Sequence, residues 1–524
     1  MGGLPSPPLS LTTGHELCLK FRKYDLTSAN TLCYADIMVF RQFFLEGLGC
    51  LSYVIGCSQT GLCAVVDPQR DVDGYLQVAQ SYGLRITHIF DTHLHADHVS
   101  GNRELAARTG ATIYLPAQAG ATFKHQPLHD GDEVNIGTVT LRAIHTPGHT
   151  PEHMCLAVID HTRGPEPWFL LTGDFLFVGD IGRPDLLGEA EMRQLADQMY
   201  TSLFDRLSVL DDGLEVFPGH GAGSLCGRNM NAKLSTTLGF ERRFNPALQL
   251  RSRQEFIAWL TQDLPPQPAN VPYIKQLNRQ GPPILGELYR PKPLTAQAVR
   301  DLLRGQGPTP VILDVRSPAE FAAGYMPGAL NVPVSNGQFA TRAGWFIPPE
   351  RPVVLIVGRE AEADRATRAL ARVGYDRVIG YLVNGIAAWR ALGLPTASLA
   401  LWTPERLRSE ALTRQGEPLP GVTIVDVRDR SEWQQGHIPG AVHIPLAELA
   451  QRADELNPFR PTAVICASGT RSSTAASLLT ARGFKHVANV MGGMEGWGAA
   501  GYPVVIDADD QRDVSSVVRH PSSS

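Results

Sequence analysis

Two clusters in this 524-residue chain combine residue types and spacings that could do chemistry. The first is THLHADH, which places His93, His95, Asp97 and His98 within six consecutive positions after the apolar run ITHIF. In a tight turn alternate side chains fall on one side, so several of these can converge on one point. Three more candidates each follow an apolar run: His149 in HTPGHTPEH, Asp174 in LLTGDF and His220 in VFPGHGAG. Imidazoles and a carboxylate delivered by strand ends to one edge make a metal pocket, a composition that unrelated turn histidines seldom assemble.

The second cluster is Cys466-Ala-Ser-Gly-Thr-Arg471-Ser472, set between the apolar run AVI and the helical pattern STAASLLTARG. A Cys at the end of a buried strand, followed by a short loop opening a helix, meets inward-pointing N–H groups and the helix dipole. Both favour a thiolate or persulfide anion. Arg471 adds a fixed positive charge suited to the oxygens of a thiosulfonate or sulfite.

The elements that must carry these residues are legible as apolar runs broken by turns. From Met38 to about Gly281 the chain alternates YVIG, AVVDP, ITHIF, TIYLP, VTLRAIHTPGH, MCLAVID, WFLLTGD and LEVFPGH. Repeated short strands ending in polar turns predict a sheet-rich αβ sandwich with its chemistry on the turns. Eight prolines between Leu264 and Pro293 predict an irregular linker that wraps the first domain before leaving it. Beyond it the chain repeats itself: ILDVRSPAEFAAGYMPGALNVP matches IVDVRDRSEWQQGHIPGAVHIP. Asp314 and Asp426 lie 112 positions apart, Trp389 and Trp497 108. That period is far too long for a solenoid and predicts two tandem copies of one small α/β domain. In each a helix should start at a Thr cap, Thr295 or Thr403. The expected boundaries are an extension over 1–37, a sandwich over 38–285, repeats over 294–397 and 401–507, and a disordered tail over 508–524. Met38 would serve as an initiator.

Composition excludes several classes. Lys+Arg 47 against Asp+Glu 52 leaves a net charge of −5, with no global positive field for nucleic acid or an anionic membrane surface. No apolar run approaches the ~18–20 residues of a membrane span. The eight Cys are scattered without paired spacing, as in a cytoplasmic protein rather than a disulfide framework.

The H-x-H-x-D-H run with its three downstream partners resembles the metallo-β-lactamase superfamily, which implies an αββα sandwich. More narrowly, DTHLHADHVSG, TPGHTPEH, TGDFLFVGDIGRPDL and FPGHGAGSLCG resemble the persulfide dioxygenases. That resemblance implies one Fe(II) held by His93, His149 and Asp174, a set that leaves positions open for persulfide and O2. His95, Asp97, His98 and His220 would then orient ligands and water, or else hold a second ion. Similar enzymes place an Arg near the substrate where Arg183 stands; the alternative is an ion pair with Asp185. Cys226 would either relay a persulfide or be a buried, unreactive thiol.

The segment from about Leu401 to Asp507 resembles rhodanese, the sulfurtransferase domain, through Cys466, Arg471 and the flanking motifs. Setting Gly374 on Gly483 puts Val357 opposite Cys466 and Glu362 opposite Arg471, so the first repeat has no nucleophile to activate and reads as a silent spacer or docking surface. Together these resemblances imply a bifunctional enzyme acting on low-molecular-weight thiol persulfides, O2, sulfite and thiosulfate, with homo-oligomerisation left open. The competing readings are a dinuclear zinc thioester hydrolase of the glyoxalase II kind joined to a sulfurtransferase, holding two zinc ions, and a non-catalytic persulfide carrier or sensor.

Overall fold

The computed structural model describes residues 38–228, 230–262, 264, 266–286, 290–335, 337–414 and 416–506. The extension expected over 1–37 and the tail expected from 508 lie outside them. In the first domain two six-stranded sheets face each other. One runs in chain order through Met38–Leu45, Cys50–Cys57, Leu62–Val66, Arg85–Phe90, Thr112–Pro116 and Gln126–Leu128. Its first pairings are antiparallel and the later ones parallel. The other sheet sets Met154–Asp160 and Phe169–Gly173 at its centre.

Cys50–Cys57 and Met154–Asp160 are buried along their whole length. One face of each packs on the opposing sheet and the other lies under helices, which is why both read as continuous apolar runs. Leu51, Tyr53 and Ile55 meet Leu141, Leu156 and Phe169 between the sheets. Helices Asp73–Ser81 and Asn102–Thr109 cover one outer face through Tyr75, Ala79 and Leu105. Glu189–Thr201 and Arg253–Leu260 cover the other through Met199 and Phe256. This is the αββα layering expected.

The Pro-rich stretch departs from expectation. It holds a regular helix, Val271–Gln280, because Pro272 falls in the first turn, where its missing N–H is not needed. The segment does wrap the first domain. Asn278 Nδ2 donates to the carbonyls of His95 and His98, at 2.8 Å each, and its Oδ1 accepts the Ser100 N–H.

The two repeats fold alike, each a five-stranded sheet paired in parallel throughout. The first is ordered Lys292–Leu294, Val378–Leu382, Val353–Ile356, Val311–Asp314, Leu330–Asn331. The second is ordered Ala400–Trp402, Val487–Val490, Thr462–Ile465, Thr423–Asp426, Val442–His443. Thr295 and Thr403 cap their helices through their hydroxyls, as their positions predict. The shared Asp-Val-Arg motif is a buried fork: Arg316 grips Asp314 and the Gly324 carbonyl, and Arg428 grips Asp426 and the Gly436 carbonyl.

The first repeat docks on the first domain through the turn after its helix Glu360–Arg372. Arg70, 2% exposed, donates to Asp376 Oδ2 at 2.7 Å and to the Ala371 carbonyl at 2.9 Å. Arg372 pairs with Asp71, and the Val99 N–H donates to the Arg372 carbonyl. Leu48, Val99 and Ile274 of the first domain belong to the same apolar cluster as Leu355 and Val373 of the repeat.

Candidate metal centre and thiol site

His93 follows strand Arg85–Phe90, His149 follows Val139–His145 and Asp174 follows Phe169–Gly173, so three strand ends deliver the triad. All three residues are buried, with ligand atoms within 4.8 Å of one another. His93 Nε2 and His149 Nε2 stand 3.9 and 3.5 Å from Asp174 Oδ2. Neither Nε2, nor either Asp174 oxygen, has a partner in hydrogen-bonding geometry, although His220 Nε2 stands 3.1 Å from Asp174 Oδ2. Buried polar atoms are rarely left so, and four around one point fit a metal ion.

The outer nitrogens are held from behind. His149 Nδ1 donates to the Arg183 carbonyl at 2.8 Å, and His93 Nδ1 shares a hydrogen bond with Thr92 Oγ1 at 3.0 Å. Each ring is thereby turned with Nε2 toward the site. Burial, reinforced by neighbouring imidazoles, holds His93 well below its usual range, and burial also lowers His149, so both stay neutral and ligand-ready. Burial would raise Asp174, but His220 and His149 hold it below the usual carboxylate range.

The rest of the H-x-H-x-D-H run points elsewhere. His95 Nε2 turns back onto Asp67 Oδ1 at 3.0 Å, in a buried group with Asp91. His98 Nδ1 faces Asp97 Oδ1 at 3.1 Å and lies 3.8 Å from Cys50 Sγ. His220 Nε2 lies 3.1 Å from Asp174 Oδ2 and 3.4 Å from Asp97 Oδ2, and Asp97, His220 and Cys226 form a second cluster beside the first.

Several residues around the site escaped the sequence reading. Asp67 ends the run AVVDP at φ 50°, and its Oδ1 also accepts the Thr92 N–H; a polar residue closing an apolar run was its available signal. His153 accepts the Asp174 N–H on Nε2 at 3.1 Å. It sits so close that a Cβ at Gly173, whose φ is +47°, would meet that atom at 2.6 Å. Cys50 opens strand Cys50–Cys57, and nothing local marks it.

Arg183 forks onto Asp185 at 2.6 and 2.7 Å while its carbonyl orients His149. Cys226 is buried, and burial pushes its thiol up to about 12. Both line a cleft beside Asp97, walled on one side by Thr341 and Val373 of the first repeat.

In the second repeat Cys466 ends strand Thr462–Ile465 and is 1% exposed. Its Sγ accepts the Gly469 N–H at 3.1 Å and lies 3.3 Å from Ser472 Oγ, which donates to Asn489 Oδ1. The MGGMEGW turn presses on this loop so closely that a Cβ at Gly493 would meet the Cys466 carbonyl oxygen at 2.3 Å. Arg471 is committed to carboxylates: Glu432 takes both Nη atoms, at 2.5 and 2.7 Å, and Asp429 a further contact at 3.1 Å. Against burial, which works the other way, Glu432 holds the Arg471 guanidinium above its usual value.

The corresponding loop of the first repeat presents Val357, 7% exposed, in place of the thiol. Glu362 Oε2 accepts the N–H groups of Gly358 at 2.9 Å and Arg359 at 3.3 Å. A side chain of the loop itself thus occupies amides that could receive an anion.

A family model described as the metallo-beta-lactamase superfamily matches residues 45–220, and one described as the rhodanese-like domain matches residues 295–392 and 408–500. A crystal structure of a metallo-beta-lactamase from Staphylococcus aureus is similar at TM-score 0.59 and 33% identity, covering 66% of this chain and 98% of that one. The chain is 25% identical over 246 residues to a mitochondrial persulfide dioxygenase of Bos taurus, 46% of this chain and 87% of that one. It is 37% identical over 172 residues to a hydroxyacylglutathione hydrolase of Rhodospirillum rubrum, 32% of this chain and 60% of that one.

Proposed function

The chain belongs to the metallo-β-lactamase superfamily and carries two tandem rhodanese-like domains, and on that premise we propose that it oxidises low-molecular-weight thiol persulfides with O2 to sulfite and moves sulfane sulfur through Cys466 to give thiosulfate. The observation that carries this reading is the triad of His93, His149 and Asp174, whose inward atoms lack partners in hydrogen-bonding geometry while His95 is turned onto Asp67. Two imidazoles and one carboxylate suit a single Fe(II) better than the larger ligand set of a zinc pair. A ferrous ion bound there would supply the redox chemistry with O2 that no side chain offers. The chain's own part is to fix ring orientation through Arg183 O and Thr92, and to hold the substrate in the cleft bounded by Arg183, Cys226 and the first repeat.

At the second site the Cys466 thiolate attacks the outer sulfur of a persulfide, whose S–S bond breaks and releases a thiolate; sulfite then takes that sulfur and leaves as thiosulfate. Unpaired cysteines among the described residues support a reducing compartment, the cytoplasm. His93→Ala, His149→Ala and Asp174→Ala should each remove metal and oxygen uptake, read by metal analysis and an oxygen electrode. Normal turnover in any one of them overturns the assignment. The cluster of Asp97, His220 and Cys226, with the hydroxyacylglutathione hydrolase likeness, favours a second reading, a dinuclear zinc thioester hydrolase. Two zinc ions per chain with thioesterase turnover would establish it, and one iron with oxygen uptake would exclude it.

A further inference from the structure

The Cys466 loop has its own cation, yet Glu432 and Asp429 neutralise it. A second guanidinium comes from outside the domain. Arg342 lies on helix Phe339–Phe346 of the first repeat and is 5% exposed. Its Nη2 donates to Gln338 Oε1 at 3.2 Å, while Nε and Nη1 have no hydrogen-bond partner. Trp345 and Phe346, three and four positions further along the same helix, pack on the apolar cluster that contains Cys466, Ala475 and Ala476. Positions so spaced share a helix face, so Arg342 is directed toward the same region. The register is clamped by Asn331, whose N–H donates to Ser477 Oγ and whose Oδ1 accepts from Ser473 Oγ, both on the helix that follows the Cys466 loop. Burial and Arg471 push Arg342 down to about 10, while Cys466, Asp429 and Glu432 act in the other direction. It remains a cation at neutral pH.

A buried guanidinium with unused donors is unfavourable for folding. We propose that Arg342, from the repeat that lacks a nucleophile, binds the oxygens of sulfite and thiosulfate at Cys466, completing the second active site. The proposal rests on the sulfur-transfer reading above. Sulfite attacks the outer sulfur of the Cys466 persulfide through its sulfur lone pair. The S–S bond breaks, its electron pair returns to Cys466 as thiolate, and thiosulfate leaves. Arg342 holds the oxygens before and after and exchanges no proton.

The test uses the full-length protein and its Arg342→Gln and Arg342→Lys variants. Arg342→Gln should raise the KM for sulfite by roughly tenfold or more, the worth of one charge-assisted hydrogen bond, and change kcat by less than about threefold. A second readout needs no sulfur transfer: the rate at which Cys466 is alkylated by anionic iodoacetate relative to neutral iodoacetamide, followed by peptide mass spectrometry. That ratio should fall about tenfold in Arg342→Gln and stay near wild type in Arg342→Lys. The melting temperature should hold or rise in Arg342→Gln, because a costly buried charge is removed. A lower melting temperature with an unchanged alkylation ratio would mark Arg342 as structural and overturn the proposal, as would an unchanged sulfite KM. If the wild-type protein transfers no sulfur from any persulfide, the sulfur-transfer reading fails, and the alkylation ratio still decides whether Arg342 acts on Cys466.

Discussion

The loop after strand Thr462–Ile465 and the loop after strand Val353–Ile356 occupy the same place in two copies of one sheet. In one, an amide N–H meets Cys466 Sγ; in the other, two amide N–H groups meet the Glu362 carboxylate. Both loops have kept the geometry that stabilises an anion. They differ in what meets the amides, a cysteine sulfur in one copy and the carboxylate of a fixed side chain in the other. The copy without a thiol has other duties. Its Asp376 anchors a buried arginine of the first domain, its Thr341 and Val373 wall the cleft beside Asp97, and its Arg342 stands near Cys466.

The sharpest way to break the comparison is Cys466→Ser. Sulfur transfer should fall by on the order of a thousandfold or more, because a hydroxyl is too weak an acid to supply the nucleophile. Oxygen uptake on persulfide should persist, with sulfite replacing thiosulfate as product. Undiminished thiosulfate would show that Cys466 is not the carrier.

Next in size is the structural duty of the copy that lacks a thiol. Asp376→Ala takes the neutralising carboxylate from the buried Arg70 and should cost about 3–5 kcal/mol, read as a shift in the unfolding midpoint. The corresponding position of the second copy is the exposed Lys485, where Lys485→Ala should stay within about 0.5 kcal/mol. Equal costs at the two positions would erase the contrast.

Between the copies, Asn331→Ala removes the bond from Ser473 and those that Nδ2 gives to the Asp314 and Arg316 carbonyls, and should cost about 1–3 kcal/mol, measured by denaturant titration. The smallest effect is expected of Val357→Cys in a Cys466→Ser background. Glu362 still fills the loop, so sulfur transfer should stay below about a hundredth of wild type. Adding Glu362→Ala should let the new thiol be labelled by a persulfide, seen as a sulfur adduct by mass spectrometry.

Much of this arrangement is local and therefore legible in the residues. The strands show as apolar runs, the repeat as matched motifs, and the triad as His or Asp at strand ends. What escaped is non-local. The pairing of Arg70 with Asp376 spans 306 positions, and that of Arg471 with Glu432 spans 39. Arg342 reads as an ordinary residue of a helix, since only the packing of one repeat on the other gives it a neighbour of consequence. His95 shows the converse. Its spacing in the run is that of a ligand, and Asp67, from a distant strand end, claims its Nε2. Helix Val271–Gln280 is hidden among its prolines, because Pro272 sits in the first turn, where a missing N–H breaks no helical bond.

The clasp between Arg70 and Asp376 also sets a clock on the birth of the chain. At ~5–20 residues per second of synthesis, the 306 positions separating them take roughly 15–60 s to emerge. Throughout that interval the guanidinium lacks its counter-ion, and Leu48, Val99 and Ile274 lack the apolar surface that later covers them. The first domain therefore emerges with an uncovered apolar face, which the repeat that lacks a thiol closes only once it has been made.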